Sequence, residues 1–228
     1  LLHEIPESLS LKEALLTEPL AAALEILEQV HIHPDMAIAI IGDGRLAYLT
    51  ASVLHLQGAE LTIIGKHPEK LARFAALGKT RLLAQMPCSS SEHWINGGED
   101  SENIDPERIA KGQKSQAEES FELVVEASGS PSGLTLASGL VRRQGRIVLK
   151  STYAGTVEVD MSRFVVNEIT IKGSRCGPFR PALRLLEKRL VKLPAVEFYE
   201  LKDWEKAFAS KAFKAGFLLG EKSNPNEM

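Results

Sequence analysis

The chain has 228 residues, 44% of them hydrophobic and 25% charged, which is typical of a folded globular protein. Its net charge of −3 favours neither nucleic acid nor an anionic membrane as the main partner. No apolar segment approaches the ~20 residues of a membrane-spanning helix, and no signal-like segment follows Leu1. Two cysteines, Cys88 and Cys176, are too few for a disulfide framework, so a cytoplasmic location is expected, with an organelle stroma or matrix as the alternative.

Residues 1–34 are predicted to form a linker region that contains a helix. Ser10 and Glu13 have the spacing of a capping box, and leucines at helical spacing follow them. Pro19 interrupts this stripe, which indicates either a kink or a new helix with Pro19 in its first turn. Glu18 would then be an acid at the start of the helix, where its negative charge interacts favourably with the positive end of the helix dipole.

The segment between residues 36 and 67 carries the strongest functional signal. Met36–Ile41 is a short apolar run, typical of a buried strand. Leu46–Leu56 is compatible with a helix that ends near Gly58, and Leu61–Ile64 predicts a second strand. Between the first strand and the helix, residues 42–47 (GDGRLA) fit the pattern G-x-G-x-x-G/A.

This glycine pattern predicts a dinucleotide site. Gly42 allows a tight turn, Gly44 lets the backbone approach a pyrophosphate, and the small Ala47 lets helix and strand pack closely. The start of the helix then presents N–H groups to the anion. An ordinary glycine turn in an α/β domain is the alternative. The residues of the turn predicted to bind the cofactor are Gly42, Asp43, Gly44, Arg45 and Leu46.

The chain changes character after the second strand. Pro68 begins another helix, Gly78 ends it, and Thr80–Ala84 is a candidate third strand. From Cys88 onward the sequence is polar, acidic and rich in Ser, Gly and Asn, and it cannot bury much surface. Residues 86–120 are therefore predicted to form a long surface insertion without a chemical motif.

Strand character returns at Phe121–Ala127 and again at Arg146–Lys150 and Ile169–Lys172, with a helix at Leu134–Val141. Alternating strands and helices predict an α/β fold, here a Rossmann-type doubly wound parallel sheet over residues 35–180. Such a sheet binds its ligand beyond the carboxyl ends of its strands. The other cofactor-binding residues expected at that edge are Gly65, Lys66, His67, Ser128, Gly129, Lys150, Ser151 and Thr152.

Residues 181–228 are predicted to form a C-terminal helix and strand segment. The pattern is helix at Ala182–Leu190, strand at Val196–Tyr199, helix at Asp203–Phe213 and strand at Ala215–Leu219. This segment exceeds what a nucleotide-binding sheet requires.

Four short segments, taken in order, resemble the medium-chain, zinc-dependent alcohol dehydrogenases, and within them the sorbitol and threonine dehydrogenase-like branch. They are residues 17–21 (TEPLA), 42–47 (GDGRLA), 126–130 (EASGS) and 167–175 (NEITIKGSR). The resemblance covers nearly the whole chain apart from the predicted insertion. It implies a nicotinamide-dependent oxidoreductase that interconverts an alcohol and a carbonyl compound by hydride transfer.

The same resemblance implies that a domain is missing. In that family a zinc-holding, barrel-like domain precedes the dinucleotide domain, and its Cys and His ligands have no counterpart here. The chain therefore resembles the cofactor-binding half, residues 181–228 would pack on the absent catalytic domain, and zinc is expected only in a full-length form. Glu18 aligns with a Glu-Pro-Leu motif whose acid lies at or near the zinc, so it is either a metal-site remnant or a helix-start acid. No catalytic acid or base is identified.

The end of the second strand bears on the choice of cofactor. In NAD enzymes an Asp or Glu at this place binds the ribose hydroxyls, but here the position is Gly65. No carboxylate is then left to repel a 2′-phosphate, and Lys66 and His67 can pair with one unless they are solvated loop charges. NADP is therefore expected to bind more tightly than NAD.

Two alternatives to an alcohol dehydrogenase stay open. One is a zinc-free, quinone reductase-like member of the same superfamily, and the other is a non-catalytic NAD(P)-binding sensor or interaction module. The expected substrate is a small alcohol or carbonyl compound of unspecified identity. Because relatives are commonly dimers or tetramers and Ile169–Ser174 can form a sheet edge, a homo-oligomer is also expected.

Overall fold

The computed structural model describes residues 2–85, 120–153 and 155–219. The chain divides into two compact units, formed by the described parts of Leu1–Glu18 with Phe179–Met228 and by the described parts of Pro19–Pro178. The predicted boundaries lay after residues 34 and 180. The difference arises at the N-terminus, where the side chain of Lys214 donates a 2.9 Å hydrogen bond to the carbonyl of Leu15 and so joins the first residues to the C-terminal unit.

The larger unit is built on six strands. Their bounds are β1 Ala37–Ile41, β2 Glu60–Gly65, β3 Lys79–Leu82, β4 Phe121–Glu126, β5 Val141–Leu149 and β6 Thr170–Gly173. All neighbours pair in parallel in the order β3-β2-β1-β4-β5-β6. The order changes direction between β1 and β4, which is the switch point at which such sheets bind ligands. The predicted Rossmann-type α/β fold is confirmed.

Eight α-helices occur among the described residues. They are α1 Leu11–Ala14, α2 Thr17–Gln29, α3 Arg45–His55, α4 Pro68–Leu71, α5 Pro131–Leu140, α6 Met161–Val166, α7 Phe179–Glu187 and α8 Trp204–Ala209. Short 3₁₀ turns lie at Ala72–Phe74, Leu83–Gln85 and Leu201–Asp203. Within the described ranges, none of the helices has the length and apolar character needed to cross a membrane.

The middle strands of the large sheet form the core. Ile38 and Ile40 of β1 and Val124 and Val125 of β4 are fully buried. Side chains on successive positions of one strand point to opposite faces, so both faces of the sheet are covered. This explains why these strands are continuous apolar runs in the sequence. The edge strand β6, in contrast, has all four of its residues exposed.

The smaller unit contains a two-stranded parallel sheet formed by β7 Val196–Glu200 and β8 Lys214–Leu218. The predicted capping box at its N-terminal end is confirmed. The hydroxyl of Ser10 accepts a hydrogen bond from the Glu13 N–H at 3.2 Å, and the Glu13 carboxylate accepts one from the Ser10 N–H at 3.0 Å. Pro19 lies in the first turn of α2, so it begins a new helix rather than kinking a long one.

Two of the differences from the sequence prediction concern helix α6 and strand β5. Helix α6 was not predicted, and it begins because the Asp160 side chain accepts a 2.9 Å hydrogen bond from the Ser162 N–H. Strand β5 begins at Val141 rather than at Arg146, since Val141 already pairs with β4. The predicted insertion at residues 86–120 lies outside the described residues, apart from Ser120.

Candidate functional site

The glycine turn leaves β1 at the switch point of the sheet. Gly42 has φ +128°, a conformation that L side chains rarely adopt, and an added Cβ would lie 2.5 Å from the carbonyl oxygen of Ala127. Its N–H donates a 2.8 Å hydrogen bond to the carbonyl of Ile64 on β2. The turn is therefore pressed between the ends of β2 and β4, and only glycine fits at its first position.

Helix α3 begins directly after this turn. Its N-cap is Gly44, which supplies no side-chain hydrogen bond to the helix, and an added Cβ there would meet nothing within 4 Å. Arg45 and Leu46 form the start of its first turn. The first N–H groups of a helix lack partners within the helix, so an anion approaching over Gly44 can accept hydrogen bonds from them.

A pocket of about 230 Å³ lies beside the turn. Six of the predicted cofactor-binding residues line it, namely Gly42, Asp43, Gly65, Lys66, His67 and Ser128. Sequence reasoning missed Ser130, Ser132 and Gly133, which also line it at the start of α5. The signal for them was the run of small residues at 128–133 (SGSPSG) after a buried strand, a composition that favours a turn followed by a helix start.

The end of β4 is held by a buried carboxylate. Glu126 is fully buried, and its Oε1 accepts hydrogen bonds from the N–H of Ser128 at 2.8 Å and from its hydroxyl at 2.5 Å. A Cβ added at Gly133 would collide with the same carboxylate, so α5 can approach β4 only through a glycine. These contacts fix Ser128 at the mouth of the pocket.

The three predicted residues that follow β5 differ in where their side chains lie. The Ser151 hydroxyl accepts a 2.8 Å hydrogen bond from the Gly129 N–H and so links the ends of β4 and β5, while Thr152 is exposed. The Lys150 ammonium lies elsewhere: it donates to the carbonyl of Ala22 at 2.5 Å and to the Ser174 hydroxyl at 3.0 Å. The structure thus directs the Lys150 side chain to helix α2, and only its backbone stays at the edge of the sheet.

A carboxylate does lie beside Gly65, although β2 does not provide it. Oδ2 of Asp43 accepts hydrogen bonds from the backbone N–H groups of Lys66 and His67, at 2.8 and 2.9 Å, and from Nδ1 of His67 at 2.9 Å. Burial acts to raise the pKa of Asp43, but the hydrogen bonds from His67 and Lys66 together hold it below its usual range. The expectation that no carboxylate lies at the end of β2 is therefore not met, because the glycine turn supplies one.

The described residues do not form a zinc site. Glu18 is exposed in the first turn of α2, and among the described residues no three His, Cys, Asp or Glu side chains are grouped so that they could hold a metal ion. A catalytic zinc normally has three protein ligands. Both interpretations of Glu18, a helix-start acid and a metal-site remnant, therefore stay predictions, because a remnant would also lack its partner ligands among these residues.

Comparison with known proteins places this geometry in a family. Residues 46–188, more than half of the chain, match the zinc-binding dehydrogenase family. The sorbitol dehydrogenase of Halalkalibacterium halodurans is 23% identical over 223 residues, which are 94% of this chain and 59% of that protein. The chain thus spans about three-fifths of the length of this relative.

Solved structures show the same fold. A zinc-binding dehydrogenase from Sinorhizobium meliloti bound to NADP matches with a TM-score of 0.73 and 19% identity, covering 92% of this chain and 59% of that one. An alcohol dehydrogenase from Escherichia coli complexed with NADH matches with a TM-score of 0.72 and 19% identity, covering 94% and 61%. The family match confirms the assignment predicted from the order of the four motifs, so this chain belongs to the zinc-binding dehydrogenases and corresponds to their C-terminal, cofactor-binding half.

Proposed function

We propose that this chain is the cofactor-binding part of an NAD(P)-dependent oxidoreductase that interconverts a small alcohol and a carbonyl compound. The observation that carries the proposal is the Gly42–Gly44 turn, pressed against the end of β4 and open over the start of α3. The family match and the NADP and NADH held by the two related structures support it.

We assign each part of the cofactor to a different part of this sheet edge. The pyrophosphate would lie over Gly44 and accept hydrogen bonds from the first N–H groups of α3. The adenosine ribose would lie at Gly65–His67, and the edge from Ser128 to Thr152 would contact the nicotinamide half. The bound nicotinamide supplies or accepts the hydride, and the protein orients it.

A Gly44→Val variant tests this proposal. Because an added Cβ meets nothing within 4 Å, the variant should fold normally, while its side chain would stand where the pyrophosphate has to approach. We expect reduced cofactor to bind the 228-residue chain in titration calorimetry and the variant to bind at least ~10-fold more weakly. Equal thermal melting curves establish that both proteins are folded. Binding that is absent for both NADH and NADPH, or unchanged by the substitution, would contradict the proposal.

We also propose that copies of the chain associate through β6. This edge strand is exposed along its length, and the adjacent α6 exposes Met161, Val165 and Val166 by 59, 74 and 68%. An open strand edge beside apolar side chains is a template for pairing with a second copy.

The low number of cysteines in the sequence supports a cytoplasmic location for the protein.

A further inference from the structure

We propose that Asp43 determines the choice between NAD and NADP, and that it selects NAD. The inference rests on the proposed function, because it concerns the adenosine ribose of that cofactor. In the usual arrangement an acid at the end of the second strand accepts the ribose hydroxyls and repels a 2′-phosphate. Here β2 ends at Gly65, and the acid comes from the glycine turn instead.

The two positions share one volume. A Cβ added at Gly65 would lie 2.8 Å from both the Cβ and the Oδ2 of Asp43. The Asp43 side chain therefore fills the space that a side chain on Gly65 would enter, and it lines the pocket together with Gly65. The site keeps its carboxylate, although a different element delivers it.

The hydrogen bonds of Asp43 also occupy the groups that a 2′-phosphate would use. Successive backbone N–H groups, such as those of Lys66 and His67, form a concave anion-binding site, and Oδ2 of Asp43 already accepts from both. Its second oxygen, Oδ1, has the Lys70 ammonium at 4.0 Å and keeps lone pairs that can accept ribose hydroxyls. A phosphate at this place would have to displace, or lie against, an ionised carboxylate.

The neighbouring lysines do not reverse the preference for ribose hydroxyls over a 2′-phosphate. The Lys70 ammonium lies 4.0 Å from Oδ1 of Asp43 and Nδ1 of the His67 ring lies 2.9 Å from Oδ2, so both side chains are directed at the carboxylate. Lys66 is exposed and binds Asp43 only through its backbone N–H. The competing interpretation is that Asp43 merely orients His67 toward a 2′-phosphate. It predicts that removing the carboxylate weakens the binding of NADPH relative to NADH.

Dissociation constants of NADH and NADPH, measured by fluorescence titration of the 228-residue chain, separate the two interpretations. We expect the wild type to bind NADH at least ~10-fold more tightly than NADPH, because like charges in contact are strongly unfavourable. In Asp43→Asn the ratio should move toward NADPH by ~10-fold or more. Asp35→Asn is the matched control. Asp35 forms a similar Asp–His pair, with its Oδ1 2.6 Å from Nδ1 of His33, but it does not line the pocket, so the ratio of the two dissociation constants should not change in this variant.

A second variant guards against a local loss of structure. Asp43→Gly combined with Gly65→Asp moves the carboxylate to β2, where the new Cβ still lies 2.8 Å from Cδ2 of Leu71 and that side chain has to turn aside. With a melting curve equal to that of the wild type, this variant should again bind NADH more tightly than NADPH. Three results would overturn the inference and leave the proposed function standing. They are a wild type that binds NADPH more tightly than NADH, a ratio of dissociation constants that is unchanged in Asp43→Asn, and a weakening of NADPH binding alone in both Asp43→Asn and His67→Gln. Failure to bind either cofactor overturns both.

Discussion

Replacement of the buried Lys150 by methionine tests the electrostatics of the sheet edge. Lys150 is 8% exposed, and its ammonium donates to the carbonyl of Ala22 and to the hydroxyl of Ser174. Burial lowers its pKa from 10.5 to about 8, against an opposing effect of Glu25 and Cys176. The folded protein therefore releases this proton more readily than the unfolded chain does.

The sign of the pH dependence follows from this difference. Between pH 8 and 10.5 the unfolded chain keeps the proton on Lys150 and the folded protein loses it, so the free energy of unfolding should rise with pH through this window. Below pH 8 both states are protonated and the cost of burying the charge is fully present. Over the whole window the gain in the free energy of unfolding is at most about 3 kcal/mol, and roughly 1–2 kcal/mol of it is expected by pH 9.5.

Urea denaturation followed by circular dichroism at pH 7 and pH 9.5 measures the effect. The wild type should gain stability over this interval relative to Lys150→Met, because the variant has no titrating group at this place and other ionisations cancel in the difference. Lys79→Met removes an exposed lysine and serves as the control, and it should follow the wild type. Parallel pH profiles for the wild type and Lys150→Met would show that Lys150 is ionised normally in the fold.

Three further substitutions test the turn, a helix cap and the sheet edge. Gly42→Ala should lower the free energy of unfolding by about 2–4 kcal/mol in urea titrations, because its Cβ would collide with the Ala127 carbonyl at a φ that alanine disfavours. Asp160→Ala should cost about 1 kcal/mol in the same assay, since the cap of α6 is lost. Ile171→Lys on β6 should shift an oligomer toward monomer in sedimentation equilibrium, whereas the proposed pairing fails if the wild type is monomeric.

The features that could be predicted from the sequence depend on residues close together in the chain. The capping box of Ser10 and Glu13, the new helix with Pro19 in its first turn and the strand–turn–helix around Gly42 all depend on local backbone hydrogen bonding and on the conformations of proline and glycine. The short helix α6 was not predicted because its six residues span fewer than two turns, too few for an apolar period to be recognised, and because Asp160 was not recognised as its cap.

Lys150 shows why the orientation of a side chain could not be predicted. Its place at the end of β5 follows from the apolar pattern of the strand. The partners of its ammonium, Ala22 and Ser174, lie 128 and 24 residues away in sequence. Pattern and spacing carry no information about such contacts, because they depend on how α2 packs against the finished sheet.

Asp43 also contacts residues that are distant in sequence, but the pairing register of the strands makes this contact predictable. Ile41 pairs with Ile64, so Gly42 lies beside Gly65, and the next residue of the turn, Asp43, can reach across the end of β2. An acid at the second position of the glycine turn is thus equivalent in space to an acid at the end of the second strand. Where the second strand of a Rossmann sheet ends in glycine, the residue between the two turn glycines should be inspected before a preference for NADP is inferred.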